Sequence, residues 1–207
     1  RVHLGELGRT QLADVRGPRE LRRRGGERVQ GLLVVVLHRV AKVGTLPSGQ
    51  LLHFDLETTG LSGGSGTRAF MIGASDWHEG RLRVRQLYLK TMAAEQAMLE
   101  AFASWLRPGT TLVSYNGRCY DSPLLATRYR LARMANPLAG LRHLDLLFPV
   151  RRRFRGVWEN CRLATVERQW LGVIREDDLP GSEAPRAWLD YLRGGSARNL
   201  RRVIEHN

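Results

Sequence analysis

The sequence has few cysteines and no long apolar segment. Its two cysteines among 207 residues, Cys119 and Cys161, match no metal-binding spacing. A disulfide framework is therefore excluded, and reduced thiols in a cytoplasmic protein are expected. The longest apolar run, residues 32–37, is far too short to cross a bilayer, so no membrane partner is expected. The first residue is Arg rather than Met, which predicts a fragment of a longer product, and no signal peptide is visible.

Acidic residues are also scarce. Asp plus Glu number 20 against 33 Lys plus Arg, which gives a net charge of +13. This excess predicts a polyanionic partner, with nucleic acid first, although an arginine-rich proteome would give the same composition. The length and a hydrophobic content of 43% fit one domain with a substantial core. We expect an Arg- and Gly-rich arm or cap at residues 1–45 and one folded domain at residues 46–207.

Strand and helix patterns follow one another in a defined order. A β-branched run at 34–36 predicts a strand before a turn at 46–49. Three further strands, near 51–57, 69–77 and 82–89, could form an antiparallel meander. The remaining predicted elements are a helix at 92–106, a strand at 111–115, a helix from Asp121, an apolar piece at 141–147, and helices at 163–171, 185–192 and 197–207. This order predicts an α/β fold, with a mixed β-sheet of an antiparallel meander plus parallel strands flanked by helices.

Two acidic residues lie on the strand near 51–57. Apolar residues at positions 52, 54 and 56 alternate with polar ones, so Asp55 and Glu57 point to the same side. At about 4 Å and an effective dielectric near 20, two such carboxylates repel by roughly 4 kcal/mol. A divalent ion with oxygen ligands relieves that repulsion. From the pair alone, solvent-facing residues on a half-exposed strand are an equal alternative.

Two motifs carry a resemblance to a known family. The run Phe-Asp-Leu-Glu-Thr-Thr-Gly-Leu at 54–61 resembles the first motif of the DEDD exonucleases, which have a ribonuclease H-like fold. Residues 115–121 resemble the second motif, in which an Asn precedes an aromatic-Asp pair. The resemblance implies that Asp55, Glu57 and Asp121 bind two Mg²⁺ or Mn²⁺ ions. From its position alone, Asp121 would instead cap a helix, a role worth roughly 1 kcal/mol.

The resemblance extends to the end of the chain. The segment around His143 and Asp145 is similar to one between the second and third motifs, and we expect both residues to be structural hydrogen-bonding groups. Residues 161–167, 177–181 and 203–207 resemble the YprB-like branch of the superfamily. That branch implies an Asp four residues after His206, one helical turn further on. The sequence stops at Asn207, so we expect that it is truncated just before its fourth carboxylate.

The activity that the resemblance implies is a 3′–5′ exonuclease acting on DNA or RNA 3′ ends. Two ions roughly 3.5–4 Å apart would activate water and neutralise the phosphate. His206 would orient or deprotonate that water, with a packing role at a helix end as the alternative. A ribonuclease H-type endonuclease and a non-catalytic nucleic-acid-binding module remain competing interpretations.

Substrate-binding residues are expected next to both motifs. Backbone amides of Thr58, Thr59, Gly60 and Leu61 would hold the terminal nucleotide, and Asn116 would hold the nucleotide or the carboxylate geometry. Arginines on the rim would guide the strand by charge, without sequence preference. The candidates are Arg68, Arg118, Arg128, Arg151, Arg152 and Arg153.

Overall fold

One mixed sheet forms the centre of the structure. A computed structural model describes residues 50–60, 64–174 and 179–207. Within these residues the strands are β1 (Leu51–Thr58), β2 (Ala69–His78), β3 (Arg81–Tyr88), β4 (Thr111–Ser114) and β5 (Arg142–Asp145). They lie in the order β3-β2-β1-β4-β5, with β1 to β3 antiparallel and β1, β4 and β5 parallel. The predicted meander with added parallel strands is confirmed.

Helices precede or follow the parallel strands. They are α1 (Glu95–Ala103), α2 (Asp121–Leu131), α3 (Leu147–Phe154), α4 (Leu163–Val166), α5 (Ala184–Leu192) and α6 (Arg198–His206), with 3₁₀ turns at Met92–Ala94 and Gly181–Glu183 and a π-helical turn at Glu167–Leu171. The helix α3 was not predicted from the sequence, which indicated only an apolar piece at 141–147. Within the described residues, no helix is long and apolar enough to span a membrane.

Some predictions fall outside the described residues. These are the arm at 1–45 with its strand, the turn at 46–49, the nucleotide-binding candidate Leu61, and the first part of the predicted motif at 177–181. The domain boundary near residue 46 therefore stays a prediction.

The central strand β1 separates two groups of buried side chains. Leu52, Phe54 and Leu56 belong to the main core, whereas Leu51 packs in a smaller cluster with Val113 of β4. Burying each such side chain stabilises the fold by about 1.5–3 kcal/mol. Because β1 is held by apolar side chains and by strands on both sides, its backbone is a rigid support for the acidic residues that alternate with the core residues.

The parallel strands bring three parts of the chain to one edge of the sheet. β1 runs parallel to β4, and Ser114 of β4 is in register with Asp145 of β5. Since parallel strands end at the same edge, the end of β1, the loop after β4 and the start of α3 lie close together. In open α/β sheets this is the edge where ligands bind.

Candidate functional site

The acidic residues of β1 differ in burial and in their partners on β2. Asp55 is exposed and in register with Gly73, while Glu57 is buried and in register with Met71. The register shifts between Glu57 and Thr58, where the strand meets the motif's threonines. Such an irregularity changes the direction in which the following side chains point.

The end of α6 reaches this part of β1. A Cβ built on Gly73 would overlap Oδ1 of Asn207, so a larger residue at position 73 would displace that side chain. Nδ2 of Asn207 donates to Oδ2 of Asp55 at 3.3 Å. The Gln86 amide of β3 donates to a backbone carbonyl of α6 at 2.8 Å, which fixes the helix end over the sheet. His206 is the last residue of α6 and is partly buried. It directly precedes Asn207, the residue that contacts Asp55.

Asp121 is the first residue of α2 and is buried, with 8% of its surface exposed. The N-cap residue is Tyr120 and makes no capping hydrogen bond, so the helix-cap interpretation of Asp121 is wrong. A Cβ on Gly117 would lie 2.6 Å from Oδ2 of Asp121, so this glycine makes space for the carboxyl group. Burial, together with the charges of Asp55 and Asp145, raises the pKa of Asp121 to about 8.

Asp145 is even more buried but is fully bonded to the backbone. Its carboxylate accepts the N–H groups of Asn116 at 2.8 Å, Arg118 at 3.0 Å and Leu147 at 3.0 Å. These bonds join the loop after β4 to the start of α3. The predicted structural role of Asp145 is confirmed.

His143 also has a structural role, as predicted. Its Nε2 lies 2.8 Å from Oγ of Ser114 and its Nδ1 lies 3.2 Å from Oγ of Ser122. Burial lowers the pKa of His143 below its usual value. The imidazole thus links the end of β4 to the first turn of α2, next to Asp121.

The loop after β4 presents two of the predicted binding residues to solvent. Asn116 and Arg118 are both exposed, while their backbone N–H groups are held by Asp145. Asn116 has a φ of +68°, a left-handed conformation that asparagine tolerates better than most residues. The loop is therefore fixed through its backbone and leaves both side chains available.

The segment after β1 is closed by hydrogen bonds of the two motif threonines. Oγ1 of Thr58 donates to the carbonyl of Gly60 at 2.9 Å. Thr59 exchanges two bonds with the backbone of Arg68: its N–H donates to the carbonyl at 2.9 Å, and its hydroxyl accepts the N–H at 3.0 Å. These bonds fix the segment proposed to hold a terminal nucleotide.

A charge cluster that the sequence analysis missed anchors this segment. Arg128 of α2 is 5% exposed and donates twice to the Glu95 carboxylate, at 2.6 Å each, and once to the carbonyl of Ser65 at 2.8 Å. Arg68 donates to the same carboxylate at 2.7 Å. The expectation that Arg128 guides substrate from the rim is therefore wrong, because its guanidinium is buried in structural bonds. The sequence does not indicate this role for Glu95, because acidic residues are common in the first turn of any helix.

The acidic residues do not form a complete metal cage. Among the residues that the structure describes, no three or more His, Cys, Asp or Glu side chains are grouped so as to hold a metal ion. Asp55 and Asp121 do interact electrostatically, and the burial of Asp121 opposes its negative charge. Carboxylate oxygens are the donors that Mg²⁺ and Mn²⁺ prefer, and a cation there would offset the cost of ionising Asp121. The donor chemistry thus fits a hard divalent ion.

Comparison with known proteins agrees with this architecture. Residues 52–207 match the RNase H superfamily. The uncharacterized protein YprB of Bacillus subtilis (strain 168) is 37% identical over 158 residues, which are 76% of this chain and 38% of YprB. A family B DNA polymerase from the hyperthermophilic archaeon Pyrobaculum calidifontis shares the fold with a TM-score of 0.55 and 18% identity, over 73% of this chain and 22% of the polymerase. The chain therefore belongs to the RNase H superfamily, as its motifs predicted.

Proposed function

We propose that the chain is a metal-dependent nuclease, and specifically a 3′–5′ exonuclease that hydrolyses phosphodiester bonds of DNA or RNA. The principal support is the position of Asp121, which is buried within the electrostatic field of Asp55 at the ligand-binding edge of an RNase H superfamily sheet. A strongly shifted pKa at such an edge is typical of functional sites. The protein supplies no positive group to Asp121 among the described residues, so a bound cation is the fitting partner.

Three carboxylates would hold the ions. Asp55, Glu57 and Asp121 would bind two Mg²⁺ or Mn²⁺ ions, which when bound neutralise phosphate charge and lower the pKa of water. Asp145 keeps the loop beside them in place through its three backbone bonds. His206, at the end of the helix that contacts Asp55, would orient the attacking water and accept its proton.

Backbone and side-chain groups around the carboxylates would bind the substrate. The amides of the segment at 58–61 would hold the terminal nucleotide, next to the threonine bonds that close it. Asn116 and Arg118, exposed on a loop with a fixed backbone, would contact phosphate or sugar groups. Contacts of this kind position a strand without reading its sequence.

An assay with end-labelled single-stranded DNA and RNA in Mn²⁺ tests the activity. We expect stepwise release of mononucleotides from the 3′ end and no activity in Asp55→Asn/Glu57→Gln. The matched control is Glu100→Gln, an exposed acidic residue of α1 that should leave the rate unchanged. A circular single strand separates this activity from that of an endonuclease, because an exonuclease has no end from which to start.

A short extension tests the fourth carboxylate. Two versions of the chain would be lengthened by one helical turn, with Asp or Asn placed four residues after His206. We expect the Asp version to be the more active, because that position continues the helix face next to Asp55. If neither version nor the 207-residue chain releases nucleotides from any substrate, the exonuclease proposal is wrong. Nucleic-acid binding that persists in EDTA would then favour the non-catalytic module.

A further inference from the structure

The end of α3 is the most densely basic part of the described structure. Arg151, Arg152 and Arg153 form its last turn, Arg155 follows it directly, and all four side chains are exposed. We call these four residues the arginine face. Six arginines elsewhere in the described residues are paired with acids: Arg68 and Arg128 with Glu95, Arg83 and Arg85 with Asp76, Arg168 with Glu159, and Arg186 with Asp190.

None of the guanidinium groups of the arginine face lies within 4.0 Å of a carboxylate among the described residues, and its distinguishing property is density, with four arginines in five consecutive positions. Basic residues do stabilise a helix C-terminus, by about 0.3–1 kcal/mol each. That gain falls off within the last turn, and neighbouring like charges repel each other. Helix stabilisation therefore does not account for four arginines at the end of an eight-residue helix. A polyanionic partner does.

The arginine face is held rigidly by the side chains beneath it. Val150 of α3 is completely buried. The Phe154 ring stacks on Trp158 with centroids 3.8 Å apart and an interplanar angle of 5°, and the Arg153 guanidinium lies 6.0 Å from the Phe154 centroid. The arginines thus extend from an ordered, packed helix, which reduces the entropy that they lose on binding a ligand.

The helix also joins this face to the candidate active site. Leu147, its first residue, is bonded to Asp145, which also holds the backbone of Arg118. The charge of Arg151 acts on the hydroxyl of Tyr115, the residue that follows β4. With a rise of about 1.5 Å per residue, the three arginines of the last turn lie roughly 6–9 Å along the axis from the start of α3.

We infer that the arginine face binds the phosphate backbone of a polynucleotide strand, a few nucleotides away from the strand end that lies at the candidate active site. This inference rests on the proposed function for one point only, that the end of the bound strand lies at Asp55 and Asp121. It predicts that the substrate is a strand long enough to reach α3 rather than a dinucleotide. Binding there would depend on salt and not on sequence.

Fluorescence anisotropy in EDTA tests the surface without cleavage. The probe is a labelled single-stranded oligonucleotide, titrated at several salt concentrations. Arg151→Gln/Arg152→Gln/Arg153→Gln should bind about tenfold more weakly, and the slope of log affinity against log salt should decrease by about 2, since each single-strand phosphate contact contributes about 0.7. The matched control removes three exposed arginines of other elements, at positions 130, 193 and 198. It should keep most of the wild-type affinity and slope.

The outcomes separate this inference from the nuclease proposal. Equal weakening by both triple variants would show an effect of net charge alone and would overturn the inference, as would wild-type affinity in the α3 variant. Lysine at the same three positions should restore most of the binding, which distinguishes lost charge from misfolding. If binding depends on the arginine face but the wild type cleaves nothing, the surface stands and the nuclease proposal fails. If the wild type and the α3 variant cleave long strands at the same rate, the inference about the arginine face is wrong and the nuclease proposal stands.

Discussion

Asp121, at the start of α2, and Asp145, at the end of β5, are two buried aspartates whose surroundings differ. Their exposed fractions are 8% and 3%. Asp145 accepts three backbone N–H groups, which replace the water that it loses on burial. The structure shows no hydrogen bond to Asp121 within residues 50–60, 64–174 and 179–207, and the groups that act on it are the carboxylates of Asp55 and Asp145.

This difference separates acidic residues that build the fold from one suited to a ligand. A buried charge is tolerated when the protein supplies its partners, and Asp145 shares that condition with Glu95, which two arginines neutralise. A buried carboxyl group without such partners holds its proton until a cation arrives. The number of partners that the protein itself supplies, rather than burial, therefore distinguishes Asp121 from the structural acids.

Removal of the Asp145 carboxylate should have the largest effect on stability. Asp145→Ala leaves one buried and two partly buried backbone N–H groups without their acceptor, and we expect a loss of about 4 kcal/mol in the free energy of unfolding, measured in urea. Asp145→Asn should cost less, because Oδ1 can still accept from Asn116 and Leu147. An Asp145→Ala protein as stable as the wild type would contradict the structural role of Asp145.

Glu95→Gln should have the next largest effect. The substitution leaves Arg128 buried without a neutralising charge, and we expect a loss of about 3 kcal/mol. It should also weaken substrate binding, since Arg128 fixes the segment after β1 through Ser65. Glu100→Gln on the exposed side of the same helix is the control, with little expected change. Equal stability of the two variants would show that the charge cluster is not structural.

The sequence predicted those parts of the site that lie on regular elements. The ribonuclease H-like sheet, predicted from the order of strands and helices, is confirmed, whereas the metal-binding role of Asp55, Glu57 and Asp121, predicted from the β1 alternation and the two motifs, stays a prediction. These features are local, because each is set by residues a few positions apart.

The contacts that complete the site were not predictable in this way. Asn207 and Asp55 are 152 positions apart in the sequence, and Glu95 and Arg128 are 33 apart. Neither pair has a local pattern, since each forms only when separate elements pack together. The helix α3 was not predicted, although Pro149 lies in its first turn, where proline is tolerated, and arginine favours helices.

Asp121→Asn should stabilise the chain in the absence of metal, by on the order of 2 kcal/mol. The pKa of Asp121 is raised from 3.8 to about 8, so the folded chain binds a proton that the unfolded chain has already released. Wild-type stability should therefore fall as the pH rises from about 4 to about 8, and Asp121→Asn should flatten that decline. Thermal unfolding in EDTA across this range gives the measurement.

Adding Mn²⁺ sharpens the same test. The ion should stabilise the wild type more than Asp121→Asn, because only the wild type gains an ionised ligand there. Two results would contradict the distinction between the two aspartates: a less stable Asp121→Asn protein at neutral pH, or the same response to Mn²⁺ in both proteins.

The smallest expected effect comes from His143, which lies on the same strand as Asp145 and is bonded to Ser122 in the first turn of α2. Burial lowers its pKa, so the unfolded chain takes up a proton before the folded chain does as the pH falls. The contribution of His143 to stability is thus complete above a pH of about 6.5 and decreases below it, opposite in sign to that of Asp121.

Urea unfolding of His143→Gln should show a smaller decrease in the free energy of unfolding between about pH 6.5 and pH 5 than the wild type does. His53 is also buried with a lowered pKa and remains in both proteins, so part of the decline should persist. An unchanged slope in His143→Gln would mean that its bonds to Ser114 and Ser122 hold the charged imidazole as well as the neutral one.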